Sequence, residues 1–236
     1  MKKLLIVLLL AVLTMPAFSQ DAFKRSKFFN IGYVNSTLTP EDEEGLQGNY
    51  GFSLSLGNRY WLNKKPIAGM MKIAIDAIWF DANYVNLKTK SYDNDYDYGY
   101  DDDEIFDEIN TGSHQIELGL GVGPSITVAP FAMASNQLKN LRASLFFHVV
   151  PSFSGVLMDN GDGDLKLNYG FVPFLKFGGC INWKALSIFA EGRWGSANYK
   201  MASTSDIEDP ETDDIISFDK WSMKTSSVRF GIGISF

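Results

Sequence analysis

The densest set of groups able to hold a metal ion is Asp93-x-Asp95-x-Asp97, with Glu104 at the twelfth position counted from Asp93. Alternating carboxylates with a distal glutamate are the donor pattern of an EF-hand calcium loop, whose sharp bend needs glycine at the sixth position. Tyr98 stands there, Gly99 comes one residue late, and no helix-forming flanks surround the run. A solvated acidic hairpin tip accounts for the same residues, so no metal site is assigned. The run Asp159-Asn160-Gly161-Asp162-Gly163-Asp164 is long enough only for a turn. Nucleophilic catalysis has just two histidines to draw on, His114 and His148. His148 shares a face with Ser152, but four residues along a strand span ~13 Å, far beyond hydrogen-bond reach. A serine on a neighbouring strand is still open to either histidine, and His114 lies at the depth of the loops. No recognisable nucleophile–base motif is present. No catalytic residue and no cofactor are assigned, and the chain is not expected to be an enzyme. The one cysteine, Cys180, forms no intramolecular disulfide, and with two histidines it does not complete a Cys/His zinc cage.

The elements around these residues begin with an export signal. Met1-Lys2-Lys3 precedes ten apolar residues from Leu4 to Leu13, a break at Thr14 to Pro16, and the small-residue pattern Ala17-Phe18-Ser19. This is the three-part layout of a signal peptide over residues 1–19. Ten helical residues rise ~15 Å, about half of a ~30 Å hydrocarbon core, so the segment is too short to span a membrane. Loss of Lys2 and Lys3 with the signal leaves 19 basic and 28 acidic side chains, a net charge of −9, which argues against a nucleic-acid partner. Twenty-two of the 28 carboxylates lie in four patches: Glu41 to Glu44, Asp93 to Glu108, Asp159 to Asp164 and Asp206 to Asp214.

Beyond the signal no stretch of 18 apolar residues occurs, so a spanning structure here must be a closed barrel. Val228, Phe230, Ile232, Ile234 and Phe236 alternate with Arg229, Gly231, Gly233 and Ser235. That is a strand with one apolar face and one small or polar face. The pattern recurs in Leu186 to Lys200, Leu167 to Ile181, Leu141 to Met158, His114 to Val128, Ile67 to Lys88 and Tyr50 to Trp61, and Phe29 to Asn35 opens the series. The count is eight. Short connections (Asn63 to Pro66, Asn182 to Ala185) alternate with longer acidic ones between strands one and two, three and four, and seven and eight. Transmembrane barrels place short turns and both termini on the periplasmic side and long loops outside. Phe28, Phe29, Tyr60, Trp61, Trp183 and Phe236 gather at one end and Tyr50, Tyr84, Tyr199 and Trp221 at the other, as two interfacial girdles would. Pro124, Pro151 and Pro173 fall inside strand patterns, where a missing N–H weakens the ladder unless a bulge accommodates it.

With these features the chain resembles the OmpA/OmpX-type, porin-like outer-membrane β-barrels over Phe29 to Phe236. The terminal segment ending at Phe236 resembles the signal that outer-membrane insertion machinery reads in that family. The resemblance implies an all-β fold: an eight-stranded antiparallel up-and-down transmembrane barrel over residues 29–236, preceded by a periplasmic segment at 20–28. It implies residence in a bacterial outer membrane as a monomer, among outer-membrane lipid and lipopolysaccharide. No domain is expected after the barrel, unlike members that carry a peptidoglycan-binding half.

Eight strands enclose a lumen just wide enough to be filled by side chains. Period two points Arg59, Lys72, Asp76, Glu117, Lys176, Glu191, Arg193 and Arg229 inward, and such charges must pair because an unpaired one in a poorly solvated interior costs ~3–5 kcal/mol. The expected role is structural or surface interaction through the acidic loops; a narrow channel and a lipid-modifying enzyme are the alternatives. Residues 91–108 carry nine acids and no base together with Tyr92, Tyr96, Tyr98 and Tyr100. Tyrosine supplies adaptable contact area at low entropic cost.

Overall fold

The computed structural model describes residues 23–40, 46–89, 113–132, 137–159, 165–202 and 220–236. The signal peptide and the Asp93 to Glu104 motif lie outside the described residues. Among those described, no helix is long and apolar enough to cross a membrane. Eight strands form instead: β1 Lys27–Pro40, β2 Leu46–Trp61, β3 Met71–Thr89, β4 Ser113–Val128, β5 Leu141–Asp159, β6 Leu165–Trp183, β7 Leu186–Ala202 and β8 Lys220–Ser235. Each pairs antiparallel with its sequence neighbours, and β1 pairs with β8 to close the ring.

Closure is staggered. From Lys27 the register partners run through Asn58, Ala77, Val122, Val149, Leu175, Trp194 and Ser226, and return to β1 at Thr37, ten residues further on. Such a displacement tilts the strands by about 35–45° to the barrel axis. At that tilt ~9–11 residues cross the hydrocarbon core. Strands of 14 to 19 residues therefore project beyond the membrane.

The wall is inverted relative to a soluble protein. Outward-facing Phe171, Phe230, Ile232 and Ile188 are exposed, the last by 70%, while the guanidinium residues Arg193 and Arg229 inside are 1% exposed. Contiguous exposed apolar surface on this scale is incompatible with water and matches lipid.

β3 breaks the alternation. Gly57 opposes Ile78 and Leu56 opposes Phe80, while on the other side Ile78 opposes Gly121 and Asp81 opposes Gly119. One extra residue is thus accommodated against both neighbours, a β-bulge, and Trp79 and Phe80 both face outward. Asp76 and Ile78 point inward before the bulge; Asp81, Asn83, Val85 and Leu87 point inward after it.

The prolines are handled without bulges. Pro151 and Pro173 face each other across β5 and β6 in unbroken register. Pairing lapses instead on their other flanks. On one side this is between Tyr169/Lys200 and Leu175/Trp194 in the β6–β7 ladder. On the other it is between Gly119/Ser152 and Val122/Val149 in the β4–β5 ladder, with the same register resuming beyond each gap.

The connections differ from the sequence expectation in one respect. β1 runs to Pro40 and β2 starts at Leu46, so only residues 41–45 join them, fewer than the periplasmic links at 62–70 and 129–140. The long loop-side connections are 90–112 and 203–219. The β6–β7 turn is just Lys184 and Ala185, with Lys184 in the left-handed region at φ 56°. Three assignments to the girdles also change. Tyr199 is fully buried in the lumen, Phe28 packs against the internal apolar cluster, and Trp61 turns into the mouth of the barrel beside Phe23, Arg59 and Lys72. Tyr60, Trp183 and Phe236 remain on the outside.

The bulge yields a test. Deleting Trp79 restores strict alternation while keeping Asp76 and Asp81 inward, so that variant refolds and keeps heat-modifiable gel migration. Deleting Ala82 forces either Asp81 or the Asn83 to Leu87 face towards lipid, and refolding is lost. Equal behaviour of the two variants on the gel would show that the bulge does not set the facing.

Candidate functional site

The lumen is layered. At the periplasmic mouth Phe23 packs edge-on against Trp61 with centroids 5.6 Å apart, and Lys72 Nζ lies 5.3 Å from the Phe23 ring. Arg25 donates to the Ser235 carbonyl at 3.2 Å, drawing the segment before β1 across the opening. Cys180 faces the same mouth, its Sγ accepting from Asn182 Nδ2 at 3.2 Å.

Deeper in, Arg59 grips Asp76 with two parallel bonds, Nε to Oδ1 at 2.8 Å and Nη2 to Oδ2 at 2.9 Å. This fork is the strong form of a charge-assisted pair. Arg59 Nη1 also donates to Thr127 and Ser144, each at 3.2 Å, and Ser125 Oγ donates to Asp76 Oδ1 at 2.8 Å. His148 Nε2 stands 3.4 Å from Asp76 Oδ2 without hydrogen-bond geometry, and its ring stacks on Phe146 at 4.8 Å.

The central layer holds three acids and three bases. Arg229 Nη1 reaches Asp81 Oδ1 at 2.6 Å and Glu191 Oε1 at 3.1 Å. Lys176 Nζ lies 3.0 Å from Glu191 and 3.7 Å from Asp81, and Arg193 Nη1 bonds Glu117 Oε2 at 2.7 Å. Asn83 and Gln115 donate to the remaining lone pairs of Glu117 at 2.7 and 3.1 Å. The layer is electrically neutral, as its burial demands. On its loop side sits an apolar cluster that includes Val34, Leu38, Leu87, Val156, Tyr199 and Met223.

All eight charges expected inside do face the lumen or its mouth, and among the described residues all but Lys72 join an ion pair. Asp81 is an addition to that set, because unbroken period two through β3 sends it outward. Arg142, whose Nη2 donates to the Lys184 carbonyl at 3.1 Å, is a second addition, although it shares the inward parity of Ser144 and His148. The visible signal for Asp81 is the adjacent pair Trp79-Phe80, two large apolar residues where alternation allows one.

The histidines are placed apart. His148 is buried in the lumen and Ser152 Oγ is engaged with the Val150 carbonyl at 3.1 Å, so the structure does not bring these two together. His114 faces outward on β4, its Nδ1 2.9 Å from the Tyr84 hydroxyl.

An eight-stranded closed ring with paired charges within, an apolar wall without, and both strand termini on the side of the tightest turn defines a transmembrane β-barrel of the outer-membrane type. No family model and no curated protein sequence matches this chain. Solved structures of similar shape include Ail, the attachment invasion locus protein of Yersinia pestis, in complex with the heparin analogue sucrose octasulfate. It is 12% identical with a TM-score of 0.48, over 90% of this chain and 99% of that one. Neisserial surface protein A is 10% identical with a TM-score of 0.45, over 89% and 97%. A major outer membrane protein from Thermus thermophilus is 12% identical with a TM-score of 0.41, over 89% and 99%.

Removing one partner of a buried pair leaves a charge uncompensated, at a cost of ~3–5 kcal/mol. Glu117→Ala strips Arg193 of its closest acceptor, so it should lower the free energy of unfolding in urea, measured in lipid vesicles, by about that amount. An unchanged urea midpoint would count against the network as a source of stability.

Proposed function

We propose that this protein is a non-conducting barrel of the bacterial outer membrane whose role is surface interaction through its loop side. The observation that carries the reading is the filled lumen: two ion-paired layers below an apolar cluster. A hydrated ion has to shed its water to enter such a stack, and the charges of both layers are already paired with one another. What is left for function is the exterior. The strand ends joined by residues 90–112 and 203–219 lie on the side opposite Lys27 and Ser235, and these connections hold sixteen of the acids together with the tyrosine run. Tyrosines among carboxylates suit recognition of a basic partner, with charge for steering and aromatic faces for contact. Insertion of the barrel through the strand ending at Phe236 is part of the same proposal.

Two measurements test it. Reconstituted in planar bilayers, the protein should give no discrete conductance steps; reproducible steps favour the narrow channel instead. Removal of Tyr92 to Glu108 should leave a heat-modifiable barrel that no longer binds an immobilised basic polypeptide. Changing Tyr92, Tyr96, Tyr98 and Tyr100 to serine, with every acid kept, should weaken binding severalfold. Undiminished binding by the serine variant would reduce the loop to a solvating tail.

A further inference from the structure

The lipid-facing wall is not smooth. On the outer surface of β3 to β6, towards the loop end, a groove of about 590 Å³ runs between Ile116 and Leu118 of β4 and Phe153 and Leu157 of β5, with Leu167 beyond. This volume lies in the range of ligand sites, ~300–1,000 Å³. Its floor is Gly155, directly opposite Ile116 on one side and Tyr169 on the other. A Cβ built there meets nothing within 4 Å, so the notch exists because this outward position has no side chain. Elsewhere β5 fills outward positions with Leu145, Phe147, Val149 and Phe153. The loop end of the groove is polar: Tyr84 and His114 lie side by side, ring centroids 5.9 Å apart, hydroxyl to Nδ1 2.9 Å. In the tautomer whose Nδ1 accepts from the Tyr84 hydroxyl, the ring proton is on Nε2 and is available to a second acceptor.

We propose that this groove binds a lipopolysaccharide molecule of the outer leaflet, one lipid A acyl chain lying over Gly155 and the His114 Nε2–H bonding an oxygen of the phosphorylated headgroup. The occupant follows from position. This wall faces hydrocarbon, so an acyl chain is what fills a notch in it, and the polar pair sits at the loop end, where strands leave the membrane on the lipopolysaccharide side. An apolar trough ending in a single hydrogen-bond donor matches a chain ending in a headgroup. The inference rests on the outer-membrane reading and is independent of what the loops bind.

The experiment uses the full-length mature barrel in detergent micelles, with native mass spectrometry counting retained lipid. Probes are hexa-acylated lipid A bearing its inner sugars and, separately, phosphatidylethanolamine. Wild type should retain one lipid A and little phosphatidylethanolamine. Gly155→Leu, which fills the notch with a side chain suited to the wall, should reduce lipid A retention at least tenfold while heat-modifiable migration is kept. His114→Ala, a second variant that leaves the groove open, should reduce it severalfold. Wild-type retention in both variants, or equal retention of the two lipids by wild type, overturns the proposal. Fractionation of producing cells reads the membrane of residence separately, so a failure of the outer-membrane reading is told apart from a failure of the groove.

Discussion

In hydrocarbon a backbone N–H or C=O has no water to turn to, and every feature of this chain is arranged around that constraint. The β1–β8 ladder closes the ring, from Phe28↔Ser235 to Pro40↔Met223, and leaves no strand edge open to lipid. Once closed, each strand has one face towards lipid and one towards a narrow lumen, and the period of two fixes which residues meet which medium. Even the prolines obey it. Pro151 and Pro173 face one another, so each missing N–H points to its other flank, and the pairing lapses there are short and keep register.

Closure also creates the need for the ion network. A lumen of this size admits little water, so charges within it must answer one another. Asp81 is the hub: it lies within 4.0 Å of Lys176, Arg193 and Arg229, contributed by three different strands. Buried pairs of this kind are weak evidence for net stability against an apolar core, yet breaking one is expensive. Their geometric demands are what they add, since β3 reaches the layer only if its bulge turns Asp81 inward. Stagger, bulge and charge pairing are thus one arrangement seen at three scales.

The strand count, the closed topology and the facing of most internal charges are legible in the sequence, because alternation in β4 to β8 is nearly unbroken from Gln115 to Arg229. What escapes it is local. Asp81 is hidden by one inserted residue, which inverts the parity of everything after it. Tyr199 looks like an interfacial aromatic, yet an odd position on β7 puts it on the inward face shared by Glu191 and Arg193. Phe28 turns inward for the same reason, as an even residue on β1. The groove is invisible in the sequence because it is made by an absence, the side chain Gly155 lacks, and by residues on four strands whose juxtaposition depends on the stagger.

The division between inside and outside also determines where function can reside. A barrel that needs its lumen for transport must tolerate uncompensated or hydrated charge along a path, and here the cluster of Val34, Leu38, Leu87 and Met223 interposes hydrocarbon between the ions and the loop-side solvent. The paired charges and the apolar cluster of the interior hold the wall in shape, which leaves the connections and the lipid-facing surface as the parts free to vary. Those are also the places where this chain departs from regularity: a tyrosine-rich acidic run between β3 and β4, and a glycine on β5 between outward-facing Phe153 and Leu157.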